Sequence, residues 1–370
     1  LRQSSPGSLM PRVLFTGGGT AGHVTPNIAL LEAAIVKNWE VAYVGSAAGI
    51  EREMIGALGI PYYPVASGKL RRYFSWQNFI DPFFILWGML QSVVLCLRLR
   101  PDAVFSKGGF VSVPLVLAAW LLRVPVISHE SDVTPGLANR LTYPFCRKIC
   151  VTFDATVRYL PKGKVNVTGT PVRRSLVAGD AAAGLEFLGF SGEKPVLLVF
   201  GGSLGAATIN NQTRRALPVL LKAFDVVHVV GKGNLETSIE QPGYVNHYVQ
   251  KEFVGEQFGH VLAAAAVVVS RAGANSLYEL LMTRKPHLLI PLGKAASRGD
   301  QLDNARVFAD LGFSRVLYEE ALTGNDKSDD VFVEAVKDVL VHSEEITARL
   351  QSFEIKDSVN LIIELIQESV

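Results

Sequence analysis

Several short polar stretches of this chain carry residue types suited to anion binding, proton transfer and sugar recognition. The first is Gly17-Gly18-Gly19-Thr20-Ala21-Gly22-His23, between an apolar run and a helical pattern. Glycines let a backbone approach an anion closely, and a helix start adds N–H groups and a partial positive charge. His23 stands at the mouth of this turn, where an imidazole suits a general base. The second stretch, Ser106-Lys107-Gly108-Gly109-Phe110-Val111-Ser112, is a similar turn with a lysine point charge. Two such loops in one half suggest a ligand with a diphosphate. The third, Ser128-His129-Glu130-Ser131-Asp132, gathers polar groups at a strand end, where each is costly unless used or hydrogen-bonded.

The second half has its own set. Gly201-Gly202-Ser203-Leu204-Gly205 is a third phosphate-type turn. In the stretch 270–279, Gly273, Ala274 and Asn275 open a helix whose second turn carries Glu279, a carboxylate suited to a ribose diol. In the stretch 298–304, Gln301 and Asn304 offer donors and acceptors to sugar hydroxyls. Each stretch also has a structural reading as a tight turn, a hydrogen-bonded framework or a polar helix start. A seventh stretch sets Lys69, Arg71 and Arg72 beside Phe74, Trp76, Phe79, Phe83 and Trp87, a mixture suited to an anionic lipid interface.

These residues need elements to hold them. Short runs rich in Val, Ile and Phe predict strands at 13–16, 40–44, 62–65, 103–105, 126–128, 149–153 and 165–168. The second half restarts at 196–200, then 226–230, 267–270, 287–291 and 314–318. Helical patterns between them predict right-handed βαβ units and parallel sheets. Both halves open with an apolar strand, a Gly-Gly turn and a helix. The expected division is 10–172, 173–350 and a helical tail, 351–370, packing back on the first domain. The first nine residues, Ser/Pro/Gly-rich and ahead of Met10, read as a remnant outside the fold.

Composition narrows the function classes. The 370 residues carry a formal charge of only +2, so no global field invites nucleic acid, and no nucleic-acid partner is expected. Cys96, Cys146 and Cys150 lack paired or metal-ligand spacing, which fits a reduced cytoplasmic compartment and no metal. The apolar stretch 83–97 is broken by Gly88, Gln91 and Ser92, short of the ~20 apolar residues of a spanning helix. Membrane contact without crossing is expected. A nicotinamide cofactor is disfavoured, because the second strand ends Val44-Gly45-Ser46 with no acid.

Taken in order, 18–23, 108–112, His129-Glu130, 201–205, Arg271-x-Gly273 with Glu279, and Gln301 with Asn304 resemble the MurG family, over nearly the whole chain from Met10. The resemblance implies a GT-B fold, two Rossmann-like domains with parallel sheets facing a central cleft, and no cofactor. It implies transfer of N-acetylglucosamine from UDP-N-acetylglucosamine to the 4-hydroxyl of the muramoyl sugar of lipid I, with inversion. The donor would be held by Thr20, Gly22, Arg173, Gly202, Ser203, the main chain at Val254, Gly273, Ala274, Asn275, Glu279, Gln301 and Asn304. The acceptor diphosphate would meet Gly18, Gly19, Ala21, Lys107, Gly108 and Gly109. The basic–aromatic stretch would sit on the cytoplasmic leaflet of the inner membrane, as a peripheral contact.

His23 is the expected base. Many family members carry Gln-Asn where this chain has Ser131-Asp132. Asp132 therefore stands as a second candidate base or as a neighbour of His23, with Glu130 in the same group. Alternatives are another GT-B transferase with a lipid acceptor, such as a diacylglycerol glycosyltransferase, and a non-catalytic nucleotide-sugar-binding membrane scaffold.

Overall fold

The computed structural model describes residues 10–68, 77–202, 204–236, 244–293, 299–322 and 328–370, with the backbone alone for 77–80. The chain divides into two compact units. One comprises the residues up to Ser131, Pro135–Pro171 and Lys356–Val370; the other comprises Asp132–Thr134 and Val172–Ile355.

The first unit is built on seven parallel strands: β1 (Arg12–Thr16), β2 (Glu40–Gly45), β3 (Tyr62–Pro64), β4 (Ala103–Ser106), β5 (Val126–Glu130), β6 (Lys148–Val151) and β7 (Val165–Val167). Their order is β3-β2-β1-β4-β5-β6-β7. Alternate side chains of one strand enter opposite cores. Val13 and Phe15 pack in a cluster that includes Leu30 and Leu31 of the helix Ala21–Val36 and Ile362, Ile363 and Ile366 of the helix Ser358–Gln367. Leu14 packs on the other face with Cys96, Leu115 and Val116. The chain end is thereby a structural part of this unit.

The second unit holds six parallel strands: β8 (Val196–Phe200), β9 (Asp225–Val229), β10 (Tyr248–Lys251), β11 (Ala265–Ser270), β12 (His287–Leu289) and β13 (Arg315–Val316), in the order β10-β9-β8-β11-β12-β13. In each unit the chain runs outward to one side of its first strand, then returns to build the other side. The reversal lies between β1 and β4 and between β8 and β11, and such a reversal opens a crevice at the carboxyl ends of the strands. The glycine turns after β1 and β8 lie at those two points.

Candidate functional site

In the first unit, register sets three loops side by side. Thr16 pairs with Ser106, and Ser106 with Ser128, so the turns after β1, β4 and β5 leave the same sheet edge. The β1 turn is fastened from behind. Tyr43 donates to Gly17 O at 2.6 Å, and Asn27 Nδ2 donates to the Tyr43 hydroxyl at 2.9 Å and to Thr16 O at 3.2 Å. Glu51, fully buried, accepts from Gly19 N–H at 3.2 Å through Oε2. Its Oε1 accepts from Ser46 N–H at 3.1 Å and from the Ser46 hydroxyl at 2.6 Å. A Cβ on Gly18 would lie 2.6 Å from this carboxyl group, and one on Gly49 would lie 2.2 Å from it, so a side chain at either position would displace the carboxylate.

His23 turns back onto the same loop. Its Nδ1 lies 3.1 Å from Gly18 O and 3.2 Å from Thr20 Oγ1. A carbonyl oxygen only accepts, so the Gly18 contact is a hydrogen bond when Nδ1 carries the proton, the tautomer that leaves the lone pair of the neutral ring on Nε2. Gly109, at φ 83°, approaches from the β4 turn: a Cβ there would meet Gly18 O at 2.6 Å and His23 Nδ1 at 3.4 Å. The two glycine loops thus meet at His23.

Gly18, Gly19 and Lys107, expected around an acceptor diphosphate, are held as follows. Gly19 N–H is occupied by a carboxylate, and a buried anion behind a loop opposes a second anion in front of it. Lys107 is turned inward at 1% exposure, with Nζ bonded to the Ser131 hydroxyl. Ala21 opens a helix that Thr20 does not cap with its side chain, and Gly22 follows it. Gly108, at φ 92°, sits against Asn139, whose Oδ1 would be 2.1 Å from a Cβ.

Glu130 is buried, and its Oε2 accepts from Gly136 N–H at 3.0 Å, Asn139 Nδ2 at 2.9 Å and the Tyr143 hydroxyl at 3.1 Å. Burial and this carboxylate push the Tyr143 phenol far up, so it remains a donor. These bonds make Glu130 the support of the loop after β5. His129 is buried beside Lys107 with Nε2 donating to Gly169 O at 2.8 Å; desolvation, then the lysine charge, hold its pKa well below the usual value. Asp132 belongs to the second unit, where its Oδ1 accepts from Asn304 Nδ2 at 3.1 Å.

In the second unit the corresponding sheet edge carries the loops after β8, β11, β12 and β13. Gly202 has φ 96° with no described residue within 4 Å of a built Cβ, whereas Gly205 has φ 76° and a Cβ there would meet Val230 O at 2.0 Å. Ser203 lies outside the described residues. Gly273 precedes the helix Ala274–Met282, whose first turn contains Ala274 and Asn275 and lacks a side-chain cap. Glu279 lies one turn further on the same helix. Burial pushes its carboxyl up to about 7, and the charge of Arg173 acts in the opposite direction. Val254 anchors its side chain in the core after β10.

Gln301 gives its carbonyl oxygen to Leu292 N–H at 3.0 Å, fastening the loop after β12. Asn304 was expected on the sugar. It is fully buried, with Oδ1 accepting from Val133 N–H at 3.0 Å and Nδ2 donating to Asp132 and to Ala272 O, each at 3.1 Å. These bonds make it the fastener of Asp132–Thr134.

The membrane stretch is described only in part. Lys69, Arg71, Arg72, Phe74 and Trp76 lie outside the described residues, as does the side chain of Phe79. The helix Gln77–Leu99 is longer than the apolar run suggested. Its span Asp81–Leu99, at mean hydropathy 1.7 and 17% buried, is long and apolar enough by length and composition to cross a membrane. The polar breaks lie toward the protein. Gly88 packs against Ala66 O, Gln91 Oε1 accepts from Ala66 N–H at 2.8 Å, and buried Ser92 donates to Gly88 O at 2.7 Å. Phe83, Leu86, Trp87, Leu90, Val94 and Leu97 are exposed and recur at helical spacing.

Sequence reasoning missed Glu51 and Tyr43, 32 and 26 residues from the glycines they bond, and also Asn27 and Asn139 on nearby helices. It also missed Glu319, just past β13. Glu319 accepts from Arg271 at 2.7 Å, from Thr208 and from the Gly293 backbone, and Arg271 donates to Ile290 O at 3.0 Å. One carboxylate so ties together segments following β8, β11 and β12. Among the described residues no group of three or more His, Cys, Asp or Glu has a metal-holding arrangement.

The chain matches the glycosyltransferase family 28 N-terminal domain over residues 13–151 and the family 28 C-terminal domain over residues 196–362. It is 50% identical over 361 residues to a Legionella pneumophila (strain Paris) protein named UDP-N-acetylglucosamine–N-acetylmuramyl-(pentapeptide) pyrophosphoryl-undecaprenol N-acetylglucosamine transferase, covering 97% of each chain. A Lachnoclostridium phytofermentans protein of the same name is 49% identical, over 97% of this chain and 99% of its own. Among solved structures, Acinetobacter baumannii MurG aligns with TM-score 0.73 at 22% identity, covering 97% of this chain and 99% of that one. A kitacinnamycin glycosyltransferase aligns with TM-score 0.71 at 16% identity, over 97% of this chain and 99% of its own. The structural likenesses carry the GT-B fold, and the full-length relatives carry the family. With both domain models matched in order along one chain, the protein is a member of glycosyltransferase family 28.

Proposed function

We propose that this protein transfers N-acetylglucosamine from UDP-N-acetylglucosamine to the muramoyl sugar of an undecaprenyl-diphosphate-linked pentapeptide, the lipid I step of peptidoglycan synthesis. The observation that supports it most is the 50% identity over 97% of the chain to a relative named for that transfer.

His23 acts as the base. Its Nε2 takes the proton of the acceptor 4-hydroxyl as the new bond to the anomeric carbon forms, and UDP leaves from the opposite face with the bonding pair. The donor binds to the second unit. The Gly201–Gly205 turn and the start of the helix Ala274–Met282 receive the diphosphate, Glu279 accepts from the ribose hydroxyls, and Arg173 stabilises the departing charge. Gln301 orients the sugar with its amide nitrogen while its oxygen holds Leu292. Of the candidate carboxylates, Asp132 and Glu130 support loops. The exposed stripe of the helix Gln77–Leu99 rests on the cytoplasmic leaflet of the inner membrane, with its polar side on the protein.

Turnover of a soluble lipid I analogue with UDP-N-acetylglucosamine tests this reading. Activity on that analogue is expected. An enzyme that leaves it untouched and glycosylates diacylglycerol would sink the proposal, and UDP binding without transfer to any acceptor would favour a scaffold.

A further inference from the structure

The Gly18–Gly19 peptide is used at both ends. Its N–H, on Gly19, donates to Glu51 Oε2 at 3.2 Å, and its C=O, on Gly18, lies 3.1 Å from His23 Nδ1. Carboxylate, peptide and imidazole therefore form one hydrogen-bonded series, with the Thr20 hydroxyl also within 3.2 Å of Nδ1. Hydrogen bonds in series polarise one another, so an anion on the N–H makes the carbonyl a better acceptor. Glu51 is itself held, by two donors from Ser46 on Oε1, at zero exposure, in a recess where Gly18 and Gly49 leave no room for a Cβ. A buried carboxylate of this cost, placed behind a loop read as an anion site, calls for a use.

We propose that Glu51 is a positioning residue for the base: it holds the Gly18–Gly19 peptide so that Gly18 O fixes His23 as the Nδ1–H tautomer, with Nε2 ready to take the acceptor proton. The inference rests on the assignment of His23 as the base. The same series favours the imidazolium that forms when the acceptor gives up its proton, because Nδ1–H then donates to a carbonyl backed by a negative charge. The other titratable or charged groups around this series are Tyr43, Tyr62, Arg52 and Lys107. Both phenols are pushed far up, chiefly by burial and also by the Glu51 charge. Arg52 donates to Ala47 O at 2.8 Å, and the Lys107 side chain flanks Gly17.

The discriminating variant is Glu51→Gln. A glutamine oxygen can keep both Ser46 donors, which leaves its NH2 facing Gly19 N–H, so only the arm toward the peptide is lost. Its kcat/KM plateau is expected to fall about 10- to 100-fold. The acidic limb of the pH profile is expected to move about one unit lower, because the imidazolium loses its support. UDP affinity is expected to stay within about twofold of wild type, at a site in the other unit. A fall in plateau with an unmoved limb would make Glu51 merely structural and overturn the proposal, as would a limb and plateau within twofold of wild type.

Nitrogen-15 spectra of wild-type protein labelled at histidine give a readout that needs neither folding of the variant nor turnover. His23 should report Nδ1–H in its neutral form, and an Nε2–H tautomer would overturn the inference directly. If the tautomer is as stated but His23→Gln keeps near-normal turnover, the assignment of the base fails instead, and the two failures are told apart.

Discussion

Two glycine turns of the same outward pattern, after β1 and after β8, have different surroundings in this protein. Behind the first, a buried carboxylate takes the Gly19 N–H, and a histidine takes the carbonyl of the same peptide. Behind the second, Gly202 adopts φ 96° with no described residue within 4 Å of a built Cβ, and the described fastening is the close approach of Gly205 to Val230 O. The first turn is hydrogen-bonded through Gly17 O, Gly18 O and Gly19 N–H and has a buried carboxylate behind it. A glycine-rich turn after a strand therefore specifies a backbone shape, and the polar group placed behind it decides whether that shape receives an anion or positions a side chain.

The comparison breaks most sharply at His23. His23→Ala should lower kcat on a lipid I analogue by about 10²- to 10⁴-fold, the usual contribution of a positioned base. Steady-state kinetics at saturating donor check this. Next in size is the steric test of the two turns. Gly205→Ala sets a methyl group 2.0 Å from a carbonyl oxygen at positive φ and should abolish UDP binding or folding, read by calorimetry and thermal melting. Gly202→Ala has space and should cost only the strain of its φ, roughly 1–2 kcal/mol.

A smaller effect sharpens the donor side. The Glu279 carboxyl stands at about 7 in the free protein, above its ordinary value. Hydrogen bonds from ribose hydroxyls favour the carboxylate, so binding must expel a proton whenever the pH is below about 7. UDP affinity should then be flat above that pH and weaken as pH falls through it, by up to about tenfold per unit. Glu279→Gln should bind more weakly and lose this dependence; a wild-type affinity independent of pH between 5 and 8 would remove Glu279 from the ribose. Asn304→Ala should lower stability by about 1–3 kcal/mol, through Val133 N–H and Ala272 O left unpaired, without moving the pH profile of turnover. The smallest expected change is Trp87→Ser, which should leave turnover of a soluble acceptor intact while reducing sedimentation with anionic vesicles.

The sequence made the sheets legible, because strands covered on both faces are continuous apolar runs such as Val196–Phe200. It missed β10, Tyr248-Val249-Gln250-Lys251, which lies at a sheet edge, is half-buried and is short of apolar residues. The loops and His23 were legible from spacing after a strand. What lay behind them was not. Glu51 reads as an ordinary first-turn helix acid, and only the tertiary fold sets it under Gly18. The same holds for the backbone bonds of Asn304 and Gln301, whose amides looked suited to sugar and whose oxygens accept from Val133 and Leu292 N–H. Polar side chains that bind ligand and those that bind backbone share one chemistry, and only tertiary placement separates them. The apolar stripe of Gln77–Leu99 was obscured by Gly88, Gln91 and Ser92, which the fold turns toward the protein.

The proposed division of labour between the two units is tested most directly by titrating UDP into His23→Ala and Glu279→Ala while measuring turnover of each. The account predicts that His23→Ala binds UDP as wild type does and fails to turn over, whereas Glu279→Ala binds UDP weakly and recovers much of its turnover at high donor concentration. Loss of UDP binding in His23→Ala, or near-normal turnover by it, would contradict the account.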